Sequence, residues 1–228
     1  MLPVENSLGG IVQEVNDYLW EFGGLRVTRE HVHPVIHCLV GRRDAPITRA
    51  MSHPQALAQC RHWLHARGIA EAAGQDTAGS ARWLAENPTP GLAAIASAAA
   101  ARRYDLEVLA EGIQDDLSNR TRFLVVDRGT PARPGQCTGG CRSSLAMVTA
   151  HKPGSLVEAL QCFSERGVNL SRLDSRPIAD RPFQYRFYVD FEVGDPATAE
   201  AALAALESAA AEVRLFGTYP AARDRSSD

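Results

Sequence analysis

The sequence predicts an α/β protein in two parts, an open sheet with interleaved helices followed by a ferredoxin-like βαββαβ plait. Three observations carry this. Residues 127–144, DRGTPARPGQCTGGCRSS, are rich in Gly, Pro, Ser and Arg and nearly devoid of apolar side chains, a connector composition that divides the chain. Beyond it, Tyr185, Phe187, Val189, Phe191 and Val193 alternate with Arg186, Tyr188, Asp190 and Glu192, the period of a half-buried strand. Ahead of it, extended runs and helical spacings take turns, as in an open α/β sheet. The expected division is residues 1–127, a connector over 128–142, and the plait over 143–220.

In the first part, Ile11, Val15, Tyr18 and Leu19 mark an amphipathic helix, and residues 25–41 hold extended runs. A short strand spans Arg49 to Met51. Pro54 then opens a helix whose apolar positions are Leu57, Cys60 and Leu64. Asp76 and Thr77 can cap a helix through Ala78, Ala81 and Leu84. Residues 91–96 read as a buried strand, 98–104 as a helix and 122–126 as a last strand. Glu5-Asn6-Ser7 reads as the loop after a strand, although almost nothing precedes it. A sheet opening this way lacks its first strands.

In the second part, Leu145, Met147 and Thr149 alternate with Ala146 and Val148 in a strand. Leu156, Val157, Leu160 and Phe163 share one helical face, with Gly167 as the stop. Residues 168–178 form a strand interrupted by polar residues. Asp195-Pro196 opens an Ala-rich helix that buries Leu203 and Leu206, and Val213 and Leu215 close the plait.

Composition narrows the function classes. The 24 basic and 27 acidic residues give a charge of −3, no electrostatic footprint for nucleic acid. Apolar stretches are interrupted before they could span a bilayer, and MLPVENSLGG is no secretory signal, so a cytoplasmic protein with no membrane partner is expected. Five cysteines without a signal do not suggest a disulfide framework. Cys38, Cys60 and Cys162 sit in apolar patterns as small hydrophobes. Cys137 and Cys141 flank Thr-Gly-Gly, but no second cysteine pair lies near enough for zinc, so reduced thiols are expected. Neither His31-x-His33 nor His62-x-x-His65 has a further ligand at metal spacing.

Four runs could carry chemistry. They are Pro3-Val4-Glu5-Asn6-Ser7, the stretch Ser52 to Cys60 (SHPQALAQC), Asp76-Thr77, and Asp115 to Phe123 with Asn119, Thr121 and Arg122. Taken singly, hydroxyl and amide side chains before helices are N-caps, and Thr121-Arg122-Phe123 is the start of a strand. Taken together, they describe a hydroxyl- and Arg-bearing cleft for a small dianionic acid.

In content, order and spacing PVENS, SHPQALAQC, AAIAS (93–97) and IQDDLSNRTRF resemble the motifs of prephenate dehydratase across residues 2–127. The plait resembles the ACT domain that follows in that family. Gly154-Ser155-Leu156-Val157 stands where the family has Gly-Ala-Leu-Val, and the segment Asn169 to Pro177 looks like the one ending in Glu-Ser-Arg-Pro, with Asp174 replacing Glu.

The resemblance implies a two-subdomain, periplasmic-binding-protein-like open sheet, incomplete here, followed by the ACT domain. It implies conversion of prephenate to phenylpyruvate with loss of water and carbon dioxide, in L-phenylalanine biosynthesis. Aromatisation drives the reaction, so no metal or organic cofactor is implied. Thr121 corresponds to the essential catalytic Thr, a positioned donor to the leaving hydroxyl. Asn6, Ser7, Ser52, His53, Gln55, Thr77, Asn119 and Phe123 correspond to residues of the substrate cleft. Arg122 either pairs with a substrate carboxylate or braces the loop. The effector L-phenylalanine is expected at Gly154, Ser155, Leu156 and Val157, with Asn169, Leu170 and a turn of Asp174, Ser175, Arg176 and Pro177 closing the site from a second subunit of a homodimer or homotetramer. Family members carry a further N-terminal segment with a GPxGTxS-like motif before PVENS; without it, little dehydratase activity is expected. Arogenate dehydratase shares these motifs, and a phenylalanine-binding protein without catalysis is the non-enzymatic alternative.

Overall fold

The computed structural model describes residues 1–179 and 181–222. In chain order the elements begin with strands β1 (Leu2–Asn6) and β2 (Gly10–Ile11), helix α1 (Gln13–Glu21) and strand β3 (Leu25–Pro34). Next come β4 (Cys38–Gly41), β5 (Arg49–Ser52), α2 (Pro54–Ala58), α3 (Arg61–His65) and β6 (Ala70–Ala73). These are followed by α4 (Thr77–Glu86), β7 (Leu92–Ala96), α5 (Ala98–Arg103), β8 (Glu107–Glu111) and β9 (Arg120–Arg128). The last six are β10 (Cys141–Val148), α6 (Ser155–Ser164), β11 (Leu170–Ile178), β12 (Arg181–Val193), α7 (Pro196–Ala209) and β13 (Glu212–Pro220). The chain forms two compact units, one of Met1–His33 with Thr121 onward and one of Pro34–Arg120.

The inserted unit is a mixed sheet of order β6-β5-β7-β4-β8. Strands β6, β5 and β7 run parallel, so helices must carry the chain back between them. A central strand covered on both faces should be apolar throughout, and β7 (LAAIA) is. Leu92, Ala94 and Ala96 pack towards α4 and α5, whereas Ala93 and Ile95 pack with Leu57, Cys60 and Leu64 of the opposite layer. The single helix expected from Pro54 through Leu64 is broken at Gln59-Cys60. The Gln59 carbonyl accepts instead from Asp115 N at 2.7 Å, which takes it out of the helical ladder. Strands β6 (AEAA) and β8 (EVLAE) were not expected, since Ala and Glu are poor strand formers and only pairing partners make them extended.

The other unit holds two sheets. One, of order β2-β1-β9-β3, pairs Asn6 with Thr121 and Glu5 with Arg122. Glu5 and Asn6 are therefore strand residues, not the loop their polarity suggested. The second is the expected plait, with antiparallel order β11-β12-β10-β13. On one face Leu145, Met147, Val189, Phe191 and Val193 meet Phe163, Leu203 and Leu206 of the helices. Val157, expected on that buried face, is 58% exposed; Ala159 and Cys162 take the inner positions.

The plait's second face, which carries the polar phase of the strand read as half-buried, is buried as well. Ala146, Tyr188, Phe216 and Tyr219 pack against Val4, Val15, Leu19, Val27 and Leu124 of α1 and the first sheet. Burying each aromatic is worth about 1.5–3 kcal/mol, enough to override the polar alternation that marked this side as outward. Trp20 adds to the contact, with the Arg186 guanidinium 3.8 Å above its ring.

The connector is not loose. Arg133 donates from Nε to Glu200 at 2.6 Å and from both terminal nitrogens to Glu207, while Gly135 N donates to Glu200 at 3.0 Å, which fastens it to α7. Cys137 and Cys141, expected as thiols, are joined in a disulfide. Residues 174–177, expected as a turn, are part of β11.

Candidate active site and effector region

The β1–β9 pairing sets Asn6 and Thr121 side by side. Asn6 Oδ1 accepts from the backbone N–H groups of Leu8 and Gly9, at 3.1 and 2.7 Å. That fixes which way the amide faces, so its Nδ2 donates to Thr121 Oγ1 at 3.0 Å. With a lone pair of Oγ1 engaged, the Thr121 hydroxyl hydrogen is aimed away from Asn6 as a donor. Ser7 is exposed and Phe123 half-buried beside them.

Arg122 faces the opposite side of β9. Its Nε donates to Glu30 at 2.7 Å, Nη1 to Asp190, and Nη2 to the Tyr219 hydroxyl at 3.0 Å. Ser144 Oγ lies within hydrogen-bond reach of Tyr219 and donates to Asp190 Oδ1 at 2.5 Å, closing a ring. Arg122 Nη2 can only donate, and Ser144 gives its hydrogen to Asp190, so the hydrogen bonds run from Arg122 to Tyr219 to Ser144 to Asp190. Burial pulls the Arg122 pKa down, but Asp190, Tyr219 and Glu30 more than offset this and raise it above the usual guanidinium value. All three nitrogens are engaged; of the two roles expected for Arg122, this geometry is that of a brace.

Within the inserted unit, Ser52 Oγ is fully buried and donates to the Ile95 carbonyl at 2.8 Å. His53 caps α2, its Nδ1 accepting from Gln55 N at 3.2 Å, and both side chains stand exposed. Thr77 begins α4 behind Asp76, which accepts from Gly79 N. Asn119 is buried and donates to Gln59 Oε1 at 3.0 Å, an oxygen that His37 Nε2 also reaches at 2.8 Å. Gln59 and His37 were missed in the sequence. Gln59 stood inside the SHPQALAQC run, where its polarity among Leu57, Cys60 and Leu64 was a usable signal.

In the plait, Gly154 has φ +86° as the residue before α6, a conformation that suits glycine. Residues 149–157 line a hollow of about 340 Å³ and a second of about 580 Å³ runs from Val157 to Leu173, so exposed Val157 borders both. Gly154, Ser155 and Leu156 lie in the first, Asn169 and Leu170 in the second. Asp174 and Arg176 turn instead to α1. Asp174 accepts from Asn16 Nδ2 at 3.3 Å, and Arg176 Nε donates to Asp17 at 2.7 Å. That bond to Asp17, ahead of the cost of burial, raises the Arg176 pKa. Ser175 and Pro177 alternate outward.

The sequence profile of the prephenate dehydratase family matches residues 1–131, and that of the ACT domain residues 144–211. The chain belongs to the prephenate dehydratase family. It is 41% identical to arogenate dehydratase/prephenate dehydratase 6, chloroplastic, of Arabidopsis thaliana over 96% of this chain, and spans 57% of that relative. The prephenate dehydratase of Arthrobacter aurescens, solved in complex with L-Phe, superimposes with a TM-score of 0.84 at 34% identity, covering 96% of this chain and 74% of that one. A further solved structure, GqqA, described as a novel type of quorum quenching acylase, gives a TM-score of 0.87 at 32% identity, covering 97% of this chain and 81% of that one. Thr121 of the TRF run thus sits on β9, a strand that pairs with β1 on one side and packs its Leu124 against the ACT domain. Among the described residues no helix is long and apolar enough to cross a membrane.

Proposed function

We propose that the protein is a dehydratase that aromatises prephenate to phenylpyruvate, with L-phenylalanine as an effector at the ACT domain of a homo-oligomer. The observation that carries the catalytic reading is Thr121 Oγ1 held by Asn6 Nδ2. In the reaction the bond from the ring to its carboxylate breaks, and its electron pair completes the aromatic ring. The ring C–O bond breaks in turn, and the departing hydroxide needs a proton to leave as water. A hydroxyl whose acceptor side is occupied presents its hydrogen to that oxygen, and preorganised donors of this kind act where charge develops.

The L-Phe complex of the Arthrobacter relative supports the effector reading. So do the Gly154–Val157 and Asn169–Leu170 runs, which line hollows meeting at Val157. Arogenate, with an amino group in place of the keto group, is the second substrate to consider, because the Arabidopsis relative carries both names.

The test is turnover by the full-length gene product with prephenate, with arogenate, and in an acylase assay. Phenylpyruvate or phenylalanine formation is expected, and Thr121→Ala lowers it about a hundred- to a thousandfold with the fold intact. Near-normal turnover in that variant removes Thr121 from the chemistry, and acylase activity alone overturns the dehydratase reading.

A further inference from the structure

The fold treats the five cysteines in two ways. Cys38, Cys60 and Cys162 are free and buried. Cys137 and Cys141 are linked across Thr138, Gly139 and Gly140, three exposed residues. The backbone sets their Cα atoms 6.2 Å apart, within the span a disulfide bridges whether or not the bond is made. Two glycines permit that approach. Gly139 has φ +134° and Gly140 φ +59°, values that a side chain would oppose.

This small ring is held at both ends. Upstream, Cys137 follows the turn Pro134–Gln136, which Arg133 and Gly135 fasten to α7. Downstream, Cys141 opens β10 opposite Val193 and Pro220, and the Gly140 carbonyl accepts from Ala221 N at 2.9 Å. Both sulfurs border the plait's core, but unequally: Cys141 is 8% exposed, whereas Cys137 is half-buried. The Gly139 N–H is directed at Cys137 Sγ at 3.3 Å, a donor to that sulfur when it attacks as a thiolate. Cys137 is therefore the sulfur a small reagent reaches, and Cys141 the one that resolves the product.

We propose that Cys137 and Cys141 are a site of reversible oxidation, exchanging with a low-molecular-weight disulfide of the glutathione class. The Cys137 thiolate attacks one sulfur of that disulfide, breaks its S–S bond and releases one thiol. Cys141 then attacks the Cys137 sulfur, closes the protein's S–S bond and releases the second thiol. Two electrons and two protons pass from the cysteine pair to the two released thiols, and reduction runs the same steps backwards. Reversibility follows from the size of the ring. Four bonds along the chain separate the cysteines, so closing the ring removes little chain entropy, equivalent to about a thirtyfold preference for the bond in the folded chain over the unfolded one. Longer loops gain more, and exposed disulfides are the more readily reduced. Oxidation locks the end of the connector to β10; reduction leaves that end to its hydrogen bonds and packing.

The test equilibrates the full chain in glutathione buffers of graded reduced-to-oxidised ratio, traps it with acid, alkylates it in urea and maps the peptides by mass spectrometry. Cys137 and Cys141 are expected to pass together from linked to free within the titration, while Cys38, Cys60 and Cys162 stay thiols. In a parallel series in urea the half-oxidised point moves about thirtyfold towards the more oxidising buffers. Hydrogen–deuterium exchange at residues 138–140 is expected to be faster in the reduced protein, with the β7 amides unchanged. Cys137→Ser shows the reduced protein's exchange at both ends of the titration.

A pair that stays linked in the most reducing buffer is a fixed structural bond, and one that stays free in the most oxidising buffer is no pair; either overturns the proposal. So does a half-oxidised point unmoved by urea, or exchange at residues 138–140 that ignores oxidation state. Should Cys137→Ser fail to fold, the titration of the unsubstituted chain still decides.

Discussion

Replacing Glu30 with Leu strikes the buried charges around Arg122 where they are driest. The Glu30 side chain is 1% exposed, and its carboxylate accepts from Arg122 Nε at 2.7 Å, from Arg142 Nη1 at 2.8 and 3.0 Å, and from Ala222 N at 2.7 Å. Removing one partner of a buried ion pair typically costs about 3–5 kcal/mol, because the other is left unpaired in a dry site. Here Arg122 keeps Asp190, and Arg142, with 22% of its side chain exposed, can turn to water. The expected loss is therefore at the lower end, about 3 kcal/mol. At about 2–4 °C per kcal/mol for a chain of this size, the melting temperature falls by about 6–12 °C. Urea titration reads this cleanly in a Trp63→Phe, Trp83→Phe background, since Trp20 then reports only the unit that holds Glu30. The midpoint should drop with the slope unchanged. Glu30→Gln keeps an acceptor oxygen without the charge and should fall between. A loss below about 1 kcal/mol, the worth of an exposed pair, would show that water reaches these charges and refute their buried character.

Burial, followed by Asp190, pushes the Tyr219 phenol well above its ordinary value. The folded state therefore keeps a proton that the unfolded chain releases near pH 10, so stability is complete below about pH 10 and falls as the pH rises beyond it. Tyr219→Phe should be less stable at neutral pH but decline less steeply in urea midpoints measured from pH 7 to 11; equal declines would contradict this. Burial, with Asp115 adding to it, pushes the Cys60 thiol up to about 12. Native Cys60 should accordingly resist iodoacetamide at pH 8 and label only in urea, as read by mass spectrometry. Rapid native labelling would mean that the α2–α3 layer opens readily.

Much of this architecture could be read from local pattern. The period-2 run at Tyr185–Val193, the apolar run at 92–96 and the caps at Asp76 and Asp195 are each set by neighbours close in sequence, and each forms the element expected. What could not be read depends on partners far along the chain. Tyr188 and Asp190 occupy the polar phase of the β12 alternation, and only the arrival of Val4, Leu19 and Leu124 shows that this phase is inward. Glu30 lies among Arg29, His31 and His33, with no local feature to mark it as a buried anion. The candidate site divides in the same way. The motifs singled out Thr121 and Asn6, which stand hydrogen-bonded, whereas the commitment of Arg122 to Asp190, and of Arg176 to Asp17, is tertiary.

The doubly covered sheet of the plait also bears on how such a domain can be exchanged between proteins. A plait with one solvated face can be fused to a new host wherever a connector reaches. This one cannot, because Ala146, Tyr188, Phe216 and Tyr219 are shaped to Val15, Leu19 and Leu124 of the segment it follows. A transplanted plait would bring Asp190 without Arg122, burying an unmatched anion at the new junction. Recombination that moves the domain intact is therefore penalised unless α1 and β9 travel with it. Drift at the contact is expected to proceed by paired substitutions on its two sides.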